Sequence, residues 1–329
     1  MRVKGNLAAD AALILTTIFW GSTFIVTKDL LDYWPPITYL TFRFVIASFL
    51  LAALFPRQLF AAGKKEWSIG LLLGLLMGLG LAIQSTGLIY TTPSKSAFIT
   101  GLTTPLVPFV ALILFRVRPN LENIVGVILA SVGGFLILAP AQGSINTGDV
   151  ITLGCLLLFA THITLLSVYT KRYDIRQITV LQIISISLVL GVIWIVFQAS
   201  ALAVAPGALP GLISREVAPL VWSPRVLWQL LYMSTVATLG TFLLWAWGQS
   251  RMSATHAAII FSLEPVFATI FAVLIRGRGE WSGGRVTVGA ILIFSGVIIS
   301  ELRLRDSKGT TLTDDDDLDI SIDPVAGSN

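Results

Sequence analysis

Two charged side chains stand deep inside apolar runs. Glu264 lies near the middle of HAAIIFSLEPVFATIFAVLI, residues 256–275, and Arg43 lies in TYLTFRFVIASFL, residues 38–50. A charge at the centre of a membrane-spanning helix costs on the order of 2.5–3.5 kcal/mol, so such groups face a bundle interior and mark pathways or binding sites. Arg43 sits nearer the end of its run, where a long side chain could snorkel to the interface. Glu264 sits too deep for that, and two roles are open to it. It could bind a cationic group of a solute or carry a proton. It could instead support structure, by pairing with Arg43 or by accepting from backbone donors freed nearby. Four further side chains within apolar runs could face a solute or proton pathway: Trp20, Gln84, His162 and Trp245. Trp20 offers a stacking face, though packing would use it equally well. His162 could relay a proton, although a lone histidine on an apolar helix is more often simply hydrogen-bonded.

The backbone around Glu264 is unusual as well. Pro265 follows it directly, cannot donate to the carbonyl of Phe261, and crowds that carbonyl with its ring. The helix is expected to kink or open there. Such a break is tolerated where it lines a cavity or is buried in protein. Pro105 occupies the matching place earlier in the chain, after Thr103 and Thr104. Both prolines are therefore expected to shape a cavity at one depth.

These residues belong to a chain of 329 residues that is 55% hydrophobic and 12% charged, with a net charge of +4. Its mean hydropathy is +0.85, and soluble domains carry about 25% charged residues. The composition is that of a polytopic membrane protein with lipid as a partner and no case for nucleic acid. Windows of about 20 apolar residues mark ten spans: 10–28, 37–55, 67–90, 95–115, 122–140, 149–169, 177–198, 226–249, 255–276 and 284–302. The connection from Ala199 to Arg225 carries Pro206, Pro210, Pro219 and Pro224 and reads as an irregular surface loop with Trp222 at the interface. With the N-terminus inside, fourteen lysines and arginines fall on the cytoplasmic side and seven on the other, Arg2 and Lys4 among the fourteen. Both termini are thus expected in the cytoplasm. From residue 304 the chain becomes an acidic tail containing TDDDDLDISID, expected to stay solvated and disordered.

The two halves, 1–140 and 149–303, resemble each other. Asp10 stands ten residues before Trp20, and Asp149 ten before Phe159. At an offset of 160, Ala97 meets Ala257, Ile99 meets Ile259, Pro105 meets Pro265 and Arg116 meets Arg276. VGVILASVG, residues 125–133, matches VGAILIFSG, residues 288–296. Thr104 stands opposite Glu264, so the site would be asymmetric. Five spans per half is odd, so the second half enters the membrane upside down. The expected fold class is an all-α integral membrane protein with about ten transmembrane helices in two inverted five-helix repeats. Secondary transporters are often built this way, with the substrate site at the repeat interface. Gly70, Gly74 and Gly78 line one helix face, as do Gly126 with Gly133 and Gly289 with Gly296. These faces are expected to serve close helix contacts, a homodimer contact among the possibilities.

No phosphate-binding loop, no H-E-x-x-H and no metal-ligand cluster is present, and two histidines offer no convincing Ser-His-Asp set. Cys155 is alone and can form no intrachain disulfide. An enzyme, a metal and a cofactor are therefore not expected. The residues carry a resemblance. FWGSTFIVTK (19–28), FRFVIASFL (42–50), SLEPVFATIFAVLI (262–275) and GEWSGGRVTVGAILIFSGVII (279–299) resemble an EamA-type permease of the drug/metabolite transporter superfamily. Asn120 stands where Glu280 does in the second half, a departure from that pattern. The resemblance implies ten helices in two inverted repeats and export of a small metabolite, such as an amino acid or related compound, across the inner membrane. It also implies a central cavity near Trp20, Gln84, His162, Trp245 and Glu264. Proton coupling through Glu264 is the mechanistic expectation; a passive channel, or a scaffold or sensor without flux, is the alternative.

Overall fold

A computed structural model describes residues 7–138, 146–203, 211–277 and 284–301. Arg2, Lys4, Pro206, Pro210, Glu280 and the acidic tail lie outside those residues. All regular secondary structure among the described residues is helical. The helices are α1 (Leu7–Leu30), α2 (Pro36–Leu54), α3 (Pro56–Phe60), α4 (Lys64–Tyr90), α5 (Pro93–Gly101), α6 (Thr103–Phe115), α7 (Leu121–Leu138) and α8 (Thr147–Leu153). They continue as α9 (Leu156–Arg172), α10 (Ile175–Ala203), α11 (Gly211–Glu216), α12 (Pro224–Ser234), α13 (Thr241–Gln249), α14 (Ala254–Phe261), α15 (Glu264–Arg276) and α16 (Gly284–Glu301). A π-helical turn, Thr235–Gly240, joins α12 to α13. Starts follow the sequence. Pro36, Pro56 and Pro224 open helices where no N–H is missed, and Asn146, Ser223 and Ser253 cap the next turn through their side chains.

Among the described residues, eight helical stretches are long and apolar enough to cross a membrane: Leu7–Leu30, Pro36–Leu54, Lys64–Tyr90, Pro93–Phe115, Thr147–Arg172, Ile175–Ala203, Pro224–Gln249 and Ala254–Ile275. They coincide with the first four expected spans and with the sixth to ninth. At the fifth and tenth stand α7 and α16, whose apolar stretches, Leu121–Leu136 and Thr287–Ile299, are shorter.

Small residues set the packing. A Cβ on Gly74 would lie 2.3 Å from Ser185 Cβ and 2.9 Å from the Gln182 carbonyl, and one on Gly70 would lie 2.5 Å from Leu181 Cβ. These two glycines hold α4 against α10. A Cβ on Gly133 would lie 2.5 Å from the Gly289 carbonyl, and one on Gly296 2.7 Å from that of Gly126. So α7 and α16 pack backbone to backbone, the close approach that small residues permit.

The expected kinks are openings. The fourth stretch breaks between Gly101 and Thr103, the eighth between Phe261 and Glu264. Pro105 is third in α6 and Pro265 second in α15, within a first turn whose N–H groups have no intrahelical acceptor. Each proline thus starts a new helix.

The connection read as an irregular surface loop is firmly anchored. Glu216, only 3% exposed, accepts from Ile37 N at 2.9 Å and from Thr38 N and Oγ1, both at 3.1 Å, which caps the start of α2. Trp34 Nε1 donates to Val221 O at 2.9 Å. Trp222 meets Trp34 edge-on at 4.6 Å. These partners lie far away in the chain, which is why local composition suggested a loose loop.

Candidate functional site

Both breaks open onto one cavity of about 100 Å³, where α1, α4, α9, α13 and the two broken helices converge. A space of that size holds several waters or a small solute, since one water needs about 10–15 Å³ by the same measure. From α1 come Trp20, Thr23, Phe24 and Thr27; from α4 come Met77, Leu81, Gln84, Ser85 and Leu88. Spacings of three and four put each set on one helix face. Thr100 and Thr104 flank the first break, Phe261 and Glu264 the second, and Phe159, Phe242, Trp245 and Arg43 complete the wall.

Aromatic side chains make one end of it. The ring centroid of Trp20 lies 4.9 Å from that of Trp245 and 5.6 Å from that of Phe261; Trp245 meets Phe261 at 5.5 Å, edge-on. Trp245 donates through Nε1 to Gln249 Oε1, and Gln249 Nε2 donates to Ile163 O at 2.5 Å. The indole is thus fixed at its polar edge as well as its faces.

Arg43 is 6% exposed and does not snorkel. Its Nε donates to Thr238 Oγ1 at 2.7 Å, its Nη1 to Tyr39 OH at 3.1 Å and its Nη2 to Ala237 O at 3.0 Å. Thr238 and Ala237 belong to the π turn, a type of irregularity frequent at functional sites. Thr241 Oγ1 donates to the same Ala237 carbonyl at 2.9 Å and accepts from Trp20 Nε1 at 3.1 Å. One network therefore positions both Arg43 and Trp20. Its π turn has no counterpart in the sequence pattern, and snorkelling was the wrong expectation because inward acceptors compete with the interface.

Glu264 is the first residue of α15 and lines the cavity. No ion pair to Arg43 or to another cation forms there among the described residues. The structural role of pairing with Arg43 is therefore not the one adopted. Gln84 Nε2 donates to Thr100 Oγ1 at 2.8 Å. The breaks themselves touch: Thr104 Oγ1 donates to Ala258 O at 3.0 Å, and a Cβ on Gly101 would lie 3.2 Å from Pro265 Cγ.

Five expected residues thus share one cavity: Glu264, Arg43, Trp20, Gln84 and Trp245. His162 does not line it. Fully buried behind Trp245, at 4.9 Å between ring centroids, it bonds Gln182 Oε1 through Nε2 at 3.0 Å. Thr27, Ser85, Thr100, Phe159, Phe242 and Phe261 line the cavity without having been singled out as candidates. Extending the helical register from Trp20 by seven residues finds Thr27; the others depend on how helices cross. Among the described residues no group of three His, Cys, Asp or Glu could hold a metal.

The model of the EamA-like transporter family matches residues 7–139 and again 146–302. The chain belongs to the EamA-like transporter family. An uncharacterized transporter of Archaeoglobus fulgidus is 31% identical over 91% of this chain and 87% of its own length. The uncharacterized transporter YoaV of Bacillus subtilis is 21% identical over 88% and 94% respectively. A crystal structure of a protein only 14% identical superposes with a TM-score of 0.69 over 89% of this chain and 96% of that one, a likeness of fold alone. This EamA-family protein is a multi-pass membrane transporter.

Proposed function

We propose that the protein is a secondary transporter that exports a small amphipathic metabolite, an amino acid or related compound, by alternating access, with proton movement through Glu264. The reading includes ten membrane-crossing helices in two inverted five-helix repeats and an inner-membrane location with both termini cytoplasmic. The carrying observation is one cavity at the two helix breaks, with the Glu264 carboxyl free of ionic partners among the described residues and a guanidinium in the same wall. Arg43 spends three of its five N–H groups on neutral acceptors, which leaves two for a solute carboxylate. Glu264 suits an amino group or a proton, and the aromatic cluster suits an apolar body.

Support for the inverted repeat comes from the two successive family matches and from exchanged helix pairs. Gly126 approaches Gly296 while Gly133 approaches Gly289, and α5 packs on α15 as α14 packs on α6. A two-fold relation between antiparallel halves produces such exchanges.

The test is flux of a metabolite panel in reconstituted vesicles, with and without an imposed pH gradient. Saturable, gradient-driven accumulation is expected, with the pH dependence lost in Glu264→Gln. Unsaturable flux that never exceeds equilibrium would assign a passive facilitator instead, and an unchanged pH dependence in Glu264→Gln would remove the glutamate from the coupling.

A further inference from the structure

Asp10 and Asp149 stand at matching places in the two halves, each ten residues before an aromatic cavity residue, Trp20 or Phe159. Neither acid lines the cavity. Each instead reaches a basic side chain in the other half. Asp10 Oδ1 lies 3.2 Å from His256 Nε2, and Asp149 Oδ2 lies 3.1 Å from Lys95 Nζ. His256 is the third residue of α14 and Lys95 the third of α5, so both latch the same turn of equivalent pieces. These pieces are the two short half-helices that end at the breaks. All four side chains are at most 20% exposed.

The two pairs lie at opposite ends of the bundle. Asp10 is in the first turn of α1 and Lys28 in its last, about 27 Å apart at 1.5 Å per residue. Lys28 Nζ donates to Thr91 O at 2.9 Å, and Thr91 Oγ1 donates to Asp149 Oδ1 at 2.5 Å, which puts the Lys95–Asp149 pair at the α1 C-terminal end. The cavity residues Trp20 to Thr27 lie between. Across each break, at Leu102 and at Ser262–Leu263, the regular helical ladder is interrupted, and these are the places where α5 and α14 would hinge in the proposed cycle. Helices this short have little stability of their own; the latch contacts add to the packing beneath them and to the Gln84–Thr100 and Thr104–Ala258 hydrogen bonds.

We propose that these two contacts, Lys95–Asp149 and His256–Asp10, are reciprocal latches of the transport cycle. Opening the cavity toward the α1 C-terminal face requires Lys95 and Asp149 to part. Opening it toward the α1 N-terminal face requires Asp10 and His256 to part. Both contacts are formed in this structure. The proposal rests on the alternating-access reading and assigns its gates.

The test needs no known solute. In a Cys155→Ala background, Ser85→Cys places one thiol in the cavity wall. A membrane-impermeant maleimide is applied to right-side-out and to inside-out vesicles. Asp149→Asn is expected to raise labelling from one face about fivefold or more, a shift of the size expected when a part-buried pair is lost. Asp10→Asn is expected to raise it from the opposite face. Lys95→Gln, which leaves the Asp149 cap of α8 intact, should reproduce Asp149→Asn. Increases from the same face in both acid variants, or unchanged labelling in folded Asp10→Asn and Lys95→Gln, would overturn the latches while leaving alternating access standing. Solute flux in the unmodified protein that is unsaturable and never exceeds equilibrium would instead remove alternating access itself.

Discussion

Glu216 makes the sharpest stability prediction because its partners are 179 and 178 residues away and all are buried. Glu216→Ala removes the acceptor for the N–H groups of Ile37 and Thr38, 4% and 2% exposed, at the first turn of α2. The Thr38 hydroxyl retains one contact, as acceptor from Trp194 Nε1 at 3.1 Å. Each orphaned buried donor costs about 1–3 kcal/mol, and the relief from no longer burying a carboxylate offsets part of that. A net loss of about 2–4 kcal/mol is expected, and Glu216→Gln, whose amide oxygen keeps one of the two backbone bonds, should lose about half as much. Cys155, the single cysteine and fully buried, supplies the assay. A thiol-reactive dye reports its exposure on heating in detergent, and the midpoint should fall by several degrees for Glu216→Ala. The pH dependence has a definite sign. Burial pushes the Glu216 carboxyl above the ordinary carboxylate range, against the donated hydrogen bonds that pull it down. Between the ordinary carboxylate value and the raised one, the folded form therefore holds a proton that the unfolded form has released. The stability it contributes is present at acid pH and is lost as pH rises through the folded value. Glu216→Gln should gain on the unmodified protein across that rise. A Glu216→Ala midpoint equal to the original, with proteolysis of the 204–223 connection also unchanged, would refute the assignment of Glu216 as the cap.

Three more outcomes follow from the geometry. Gly74→Ile should destabilise by about 1–3 kcal/mol or more, because Ser185 Cβ and the α10 backbone leave its Cβ no room, whereas Gly191→Ala, with nothing within 4 Å, should be neutral or slightly stabilising in the same dye assay. His162→Leu and Gln182→Leu should each cost about 1–3 kcal/mol by orphaning the other, with the double variant costing less than their sum; additive losses would mean the two side chains do not act as a pair. Arg43→Lys should raise KM for carboxylate-bearing solutes by about 10-fold or more, since an ammonium cannot hold Thr238, Tyr39 and Ala237 and still reach a solute; a KM that stays constant would place the solute elsewhere.

Much of the site was legible before any helix was placed. Glu264, Arg43, Trp20, Gln84 and Trp245 were picked out by polar or aromatic character within apolar runs, and all line one cavity. The criterion works because lipid makes a buried polar group costly wherever it stands. The same criterion selected His162, whose hydrogen bond to Gln182 through Nε2 holds it away from the cavity. Depth along one helix does not say which way a side chain faces. Asp10 and Asp149 were visible only as repeat markers, because their partners, His256 and Lys95, come from the other half.

By itself the sequence determined that this chain lives in a membrane, where most of its helices run, and which residues carry exceptional cost inside them. Those are properties of single segments of about 20 residues, set by apolar content and by proline's missing donor. Only the tertiary structure decided that both prolines begin new helices at one cavity, that Arg43 turns inward to a π turn, and that Glu216 caps a helix far away in the chain. These depend on which backbone groups of distant helices lie within hydrogen-bond reach. Segment hydropathy does not encode that, because many pairings of the same helices would bury the same apolar area.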